Sequence, residues 1–394
     1  MQEPEGRTSH APEDIEPRHH PPFIVMDVLR AANERQAAGR DVYHLEVGQP
    51  GTGAPSVVVE GIRNVLGRDP MGYTDAMGIP PLRQRIARHY LDTYGVHVDP
   101  DRVAVTTGSS GAFLLGFLSA FDVGDRVAVA SPGYPAYRNI LTALGVEVVK
   151  VLTFQEDGFR LTPELLKDAP GPLDGLVLAS PANPTGTVVT RDELAALASY
   201  CSHAGIRLIS DEIYHGITYG QNAHSALELT EEALVINSFS KYYSMTGWRL
   251  GWMVLPRELG RPVECLAQNF FISPPTLSQV AAIRAFEAAE ELNTHVARYA
   301  RNRRRILDTL PRVGIGGWGP ADGAFYVYAD VRHLTDDSEA FCRRMLAESG
   351  VATTPGTDFD PGRGRGYLRI SFAGSEEEVG GAMEALEAWL GGES

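Results

Sequence analysis

Between residues 103 and 255 short apolar runs alternate with helical patterns, and this rhythm restricts the fold more tightly than any other feature of the chain. The runs lie at 103–106, 126–130, 147–152, 175–179, 207–209, 233–237 and 249–255. They are apolar throughout rather than every second residue, as strands are when both faces of a sheet are covered. The patterns between them, such as the apolar one ending at Phe121 and the one at 191–204, have the length and spacing of helices. Together they predict an α/β fold built on a mostly parallel sheet flanked by helices.

Such a sheet binds ligands beyond the carboxyl ends of its strands. The turn Gly108-Ser109-Ser110, Tyr134, Asn183, Asp211, Tyr214 and Lys241 all fall there, so six groups from six strand ends should converge on one crevice. Lysine is scarce: of 35 basic residues only Lys150, Lys167 and Lys241 are lysines. Lys150 ends a Val-rich strand pattern and Lys167 lies on an amphipathic helical pattern, so both read as surface charges. Lys241 stands at a strand end among Ser238, Ser240, Ser244 and Thr246, where an amine can form a Schiff base with a carbonyl. On that stretch alone a solvated loop lysine stays open as the alternative.

Each strand-end group has a use if the ligand is an aldehyde-bearing pyridine phosphate. The Gly108-Ser109-Ser110 turn offers amides and hydroxyls at a helix start, where the dipole favours an anion. Arg249, eight residues after Lys241, adds a full charge suited to phosphate. Asp211 can pair with a protonated ring nitrogen, Tyr214 and Asn183 can hydrogen-bond a ring oxygen, and Tyr134 can stack on the ring. Taken singly, these residues read equally well as a cap, a buried tyrosine or a turn asparagine.

In this order the groups resemble the class I/II aminotransferases, pyridoxal-phosphate enzymes of fold type I. The resemblance runs through Glu46-Val-Gly48, Tyr73-Thr-Asp-Ala-Met-Gly78, Asn183-Pro-Thr-Gly186, Asp211-Glu-Ile-Tyr214, Ser238-Phe-Ser-Lys241, Arg249, Gly323-Ala-Phe-Tyr-Val327 and Leu368-Arg-Ile-Ser371. It implies that Lys241 forms the Schiff base with pyridoxal 5'-phosphate and that Asp211 partners the pyridine nitrogen. It implies Asn183 and Tyr214 at the ring oxygen, Tyr134 on the ring face, and Gly108, Ser109, Ser110, Ser238 and Arg249 at the phosphate. Tyr73 would reach the phosphate of the neighbouring subunit, so a homodimer with shared sites is expected. Arg369 would clamp the substrate α-carboxylate, helped by Asn183 and the Gly48 backbone. The implied activity is ping-pong transfer of an amino group from an L-amino acid to a 2-oxo acid. The same scaffold also supports C–S lysis, elimination or oxidation. A further basic group for an acidic side chain is not found, and residues 109–121 contain none. Residues 23–26 are expected to close over the site and favour apolar side chains.

Length and charge set the remaining limits. A chain of 394 residues holds two or three domains. The expected division is a flexible arm at 1–22, a segment at 23–45 packing on the small domain, a large cofactor-binding domain at 46–283 and a smaller α+β domain at 284–394. A net charge of −15 argues against a nucleic-acid or anionic-membrane partner. An arm this short also leaves no room for the helix-turn-helix of a regulator built on this scaffold. Cys201, Cys265 and Cys342 are far apart and form neither a metal spacing nor a disulfide framework, which suits the cytoplasm. His19-His20 and His10 suggest a metal tract, but no third ligand stands at useful spacing to the pair, so a solvated tail and no metal are expected. No apolar run approaches a membrane span, and no signal peptide is read.

Overall fold

The computed structural model describes residues 22–391. The arm expected at 1–22, with His10, His19 and His20, lies outside the described residues except for Pro22. The chain opens with helix α1 (Ile24–Ala37), a two-residue strand β1 (Tyr43–His44), α2 (Ser56–Val65) and α3 (Pro80–Tyr94). The alternating region follows as β2 (Val103–Thr106), α4 (Gly108–Ala120), β3 (Arg126–Ser131), α5 (Pro135–Ala143), β4 (Glu147–Leu152), α6 (Pro163–Lys167), β5 (Gly175–Ala179), α7 (Arg191–Ala204), β6 (Arg207–Asp211), β7 (Leu234–Ser238) and β8 (Gly251–Val254). Helices α8 (Gly260–Phe270), α9 (Thr276–Ala285) and α10 (Ala289–Thr309) lead to β9 (Gly317–Trp318), β10 (Tyr326–Asp330), α11 (Ser338–Ser349), β11 (Val351–Ala352), β12 (Thr354–Pro355), β13 (Tyr367–Ser371) and α12 (Glu376–Gly391).

Seven strands form the large sheet in the order β2-β8-β7-β6-β5-β3-β4. Every pairing is parallel except those of β8, which runs antiparallel to both β2 and β7. Its direction matters for the site. The carboxyl ends of the other strands and the amino end of β8 open on the same edge. Successive strand residues feed the two faces in turn: Val127, Ile209, Leu234 and Ile236 join one apolar cluster, while Ala128, Leu208 and Val235 join the other. Phe113 and Phe117 of α4 cover the first face, and Leu194, Leu197 and Cys201 of α7 cover the second. Helix α7 is fixed at both ends, by a Thr190–Glu193 capping box and by Gly205 in the left-handed region at φ 69°.

A smaller antiparallel sheet, β12-β13-β10-β9, makes a second domain, beside a parallel pair of β1 with β11. Its core is continuous with the first cluster of the large sheet through Val327, Leu368, Ile370 and Phe372. Arg369 lies mid-strand in β13, opposite Tyr328 of β10 and Thr354 of β12. The segment after β1 crosses this sheet: the Leu45 amide donates to Ala352 and the Gly51 amide to Ala373, which carries Gly48 to the edge of the large sheet.

Three elements differ from the pattern-based expectation. The strand expected over 41–47 is two residues long. The helical stretch after Pro275 breaks at 286–288, where the Phe286 ring packs against Tyr243 at 5.1 Å and Phe239 at 5.5 Å. The strand expected from 249 begins at Gly251, because Arg249 takes a left-handed backbone, φ 51°, as it leaves a short turn. Among the described residues no helix is long and apolar enough to cross a membrane, and no group of three His, Cys, Asp or Glu could hold a metal ion.

Candidate active site

A cavity of about 160 Å³ opens at the strand-end edge of the large sheet, closed on its other side by the small domain and α1. Lys241 enters it from the turn after β7. Its Nζ donates to the Gly48 carbonyl at 2.8 Å and lies 5.8 Å from the centre of the Tyr214 ring. Desolvation, followed by the charges of Arg369 and Arg249, brings its pKa down to about 8, while Asp211 opposes the shift. A larger fraction of this amine is neutral near physiological pH than of an ordinary lysine, as a nucleophile requires. Gly48 has no substitute here, since a Cβ would fall 1.6 Å from the Tyr326 hydroxyl oxygen.

Asp211 closes β6 and is 3% exposed. Its Oδ2 accepts a short hydrogen bond from the Tyr137 hydroxyl, and Oδ1 accepts the Ile213 amide at 3.1 Å. Burial pushes its carboxyl up to about 6, against the pull of Tyr137, the Ile213 amide and Lys241. The Tyr214 hydroxyl meets that of Tyr326 at 2.7 Å, and burial raises the Tyr214 pKa well above its ordinary value, so this phenol stays a neutral donor.

The two ends of the cavity are both cationic. At one, α4 starts at Gly108, φ 69°, without a side-chain cap, so its first amides are unclaimed by Thr107. A Cβ on Gly108 would lie 2.5 Å from an Arg249 guanidinium nitrogen. The reversed direction of β8 is what delivers Arg249 to this edge. At the other end, Arg369 is 3% exposed and packed between the rings of Tyr326, at 4.4 Å, and Phe359, at 4.7 Å. Its guanidinium donates to Asn183 Oδ1 at 3.0 Å, to Thr354 Oγ1 at 3.2 Å and to the Glu46 carbonyl. Its Nε is buried and has no hydrogen-bond partner among the described residues.

Residues 40–386 match the family described as aminotransferase class I and II. The chain belongs to this family. The valine–pyruvate aminotransferase of Mycobacterium tuberculosis is 52% identical over 94% of this chain and 96% of its own length. An aspartate/prephenate aminotransferase of Thermus thermophilus is 34% identical, with 94% of this chain and 96% of that protein aligned. The crystal structure of an aminotransferase from Mycobacterium tuberculosis superposes with a TM-score of 0.92 at 52% identity, covering 94% of this chain and 97% of that one. The chain is therefore a transaminase of fold type I, transferring an amino group between an amino acid and a 2-oxo acid. Aminotransferases of these classes depend on pyridoxal phosphate.

Within this aminotransferase, Lys241, Asp211, Tyr214, Asn183, Ser109, Ser110, Tyr134, Arg249, Gly48 and Arg369 all line one cavity. Five strand ends supply the convergent groups rather than six, because Asp211 and Tyr214 both follow β6. Gly108 stands behind the lining and leaves room for Arg249. The Ser238 hydroxyl turns away to Leu250 and Ser240, and Ser240 faces the cavity in its place. Tyr73 is 84% exposed and lies outside the cavity of its own subunit. Tyr137 and Tyr326 carry no site role in the sequence pattern, and Ser240 stands there only as one of the hydroxyl neighbours of Lys241. Tyr137 had one usable signal, its position one helical turn from Tyr134. Tyr326 sits in the quoted Ala-Phe-Tyr-Val segment, but nothing in the pattern showed that it faces Gly48 and Arg369.

Proposed function

We propose that this aminotransferase binds pyridoxal 5'-phosphate through Lys241 and transfers the amino group of a small neutral amino acid such as valine to pyruvate, in ping-pong fashion. One observation carries the reading: a single lysine amine stands between a buried carboxylate, Asp211, and a buried guanidinium, Arg369. The residues present fit the cofactor. The uncapped start of α4, the space kept by Gly108 beside Arg249 and the unpartnered Arg369 Nε each leave a polar group for a ligand. The substrate pair is that of the 52% identical valine–pyruvate aminotransferase.

Ser109, Ser110, Arg249 and the α4 amides would hold the phosphate, with Gly108 leaving the space and Ser238 acting from behind through its bond to Ser240. Asn183 and Tyr214 would bond the ring oxygen, and Tyr134 would lie on the ring face. When bound, pyridoxal phosphate supplies an electron-accepting ring that stabilises negative charge at the substrate α-carbon. Asp211 holds the proton at the ring nitrogen by its charge. Arg369 takes the substrate α-carboxylate with a planar fork, which lysine lacks. Lys241 Nζ, kept in place by the Gly48 carbonyl, moves the proton from the substrate Cα. Gly48 and Asn183 border the same substrate position.

The organisation proposed around this site is the one expected from the sequence: 23–45 packing on the small domain, 46–283 as the cofactor domain and 284–394 as the small domain. We place the enzyme in the cytoplasm, which suits three free cysteines, and pair it as a homodimer in which Tyr73 serves the neighbouring site. Borohydride reduction followed by peptide mapping tests the centre of the reading. The label should fall on Lys241, and valine with pyruvate should give alanine. Labelling of Lys150 or Lys167 instead would remove Lys241 from its role.

A further inference from the structure

Helix α1 starts without a cap of its own. Phe23, at the N-cap position, has no side-chain acceptor. Ile24 and Val25 are the first two helical residues, and their amides have no partner inside the helix. Both are taken by one carboxylate from the far end of the chain: Asp358 Oδ1 accepts the Ile24 amide at 3.2 Å and Oδ2 accepts the Val25 amide at 3.4 Å. An anion at a helix start is also favoured by the helix dipole. Asp358 is 1% exposed. Its carbonyl accepts a short hydrogen bond from Arg138 on α5, and the next carbonyl, of Phe359, accepts the Gly133 amide at 3.1 Å. Phe359 in turn covers the Arg369 guanidinium. Residue 358 therefore joins three things at one point: the first turn of α1, the loop and helix that carry Tyr134, and the proposed carboxylate clamp.

That first turn is a wall of the cavity. Phe23, Val25 and Met26 line it, with Val47 beside them, and the Phe23 ring meets Tyr134 edge-on at 5.9 Å. Among the described residues the cations that line the cavity are Lys241, Arg249 and Arg369, and each already has a use in the proposed chemistry. A substrate side-chain carboxylate against Phe23, Val25 and Met26 would lose its hydration with no spare charge to meet it. A short aliphatic side chain would exchange water for apolar contact.

We propose that Asp358 is a specificity-positioning residue, which by capping α1 holds Phe23, Val25 and Met26 as the apolar wall that favours a branched aliphatic side chain over a bare methyl group. This rests on the transaminase reading of the cavity, but the cap itself is open to measurement without turnover. Hydrogen exchange gives that readout. Among the described residues Asp358 is the acceptor of both the Ile24 and Val25 amides, so in Asp358→Ala they should exchange at least tenfold faster, while amides of α4 keep their rates. Kinetics give the other. The ratio of kcat/KM for valine to that for alanine, each with a 2-oxo acid acceptor, should fall by about tenfold or more in Asp358→Ala, since one methylene in an apolar pocket is worth roughly 10- to 200-fold. Kcat/KM for alanine, which offers the wall only a methyl group, should change less than that for valine. Met26→Ala, at a side chain 53% exposed and outside the buried core, should fold and lower the same ratio; combined with Asp358→Ala it should add little further. Equal losses for valine and alanine, or an unchanged ratio in Met26→Ala, would overturn the proposal. Unchanged exchange at Ile24 and Val25 would overturn the cap. A wild-type enzyme that turns over neither amino acid would instead refute the substrate reading, and the exchange result would still decide the cap.

Discussion

At the residue scale the tension at Asp211 is the most informative feature. Burial pushes its carboxyl up to about 6 and the Tyr137 hydroxyl pulls it back. Tyr137→Phe keeps the ring against Phe113, 5.1 Å away, and Tyr134, 5.3 Å away, and removes only the hydroxyl. A hydrogen bond to a charged group is worth about 1.5–3 kcal/mol, or roughly one to two pKa units. The Asp211 pKa should therefore rise further, and the carboxylate exists only above it. The acid limb of the pH–rate profile is expected to move up by about one to two units, with activity recovered in part at high pH. A limb that stays in place would show that Tyr137 does not govern Asp211. The two partners were not equally legible. Asp211 and Lys241 stand at strand ends, where the rhythm of the sheet alone assigns an edge. Tyr137 reads as an ordinary helical residue, and its bond to a residue 74 positions away depends on how α5 packs against α4, β3 and β4.

At the scale of elements, adjacent residues of one strand end do separate work. Glu212, next to Asp211, is 1% exposed and points into the other face. Its Oε1 accepts from Ser210 and Ser225, each at 3.1 Å, and from the Ala226 amide at 2.9 Å, so it ties β6 to the turn Ala226–Glu228. Burial pushes its pKa up from 4.5 to about 8, against those three donors. A carboxyl whose pKa is higher in the folded state stabilises the fold when protonated, and that contribution is lost as pH rises through the folded value. Urea unfolding should show the wild type losing stability from about pH 4.5 to about pH 8, and Glu212→Gln, which keeps the Oε1 acceptor and cannot ionise, should flatten that decline. Asp211, also raised, leaves a smaller slope ending near pH 6. If the variant keeps the whole slope, Glu212 is not its source. The elements also mark where pattern reading stops. The alternation exposes the strands and the binding edge, but an apolar strand has the same pattern in either direction, so the reversal of β8 was hidden. The break between α9 and α10 has no glycine or proline to announce it. What accompanies it is the packing of the Phe286 ring against Phe239 and Tyr243, a long-range contact with no local pattern.

At the scale of the whole molecule, the question is whether one subunit completes its own site. Tyr73, Phe270 and Ile272 are 84%, 55% and 51% exposed. They lie on two segments fastened together by Thr276 Oγ1 donating to Gly72 at 2.7 Å and by Gln279 Nε2 donating to Thr74 Oγ1 at 3.0 Å. Large apolar side chains grouped on one outer face suit a subunit interface. No pattern in the sequence reveals a partner copy; the expectation came from family resemblance, because a single chain carries no signal for its own symmetry. Mixed variants can test it. Lys241→Ala should be inactive and Tyr73→Ala impaired. In a hybrid of the two, the subunit with Tyr73→Ala retains Lys241 and would receive Tyr73 from its partner, giving one intact site per hybrid. The other site would lack both groups. Random pairing of equal amounts makes half of all dimers hybrids, so co-refolded mixtures should regain about a quarter of wild-type activity in a two-fold symmetric dimer. If Tyr73 serves its own subunit, every site in the mixture stays defective and mixing restores nothing above the average of the two parents.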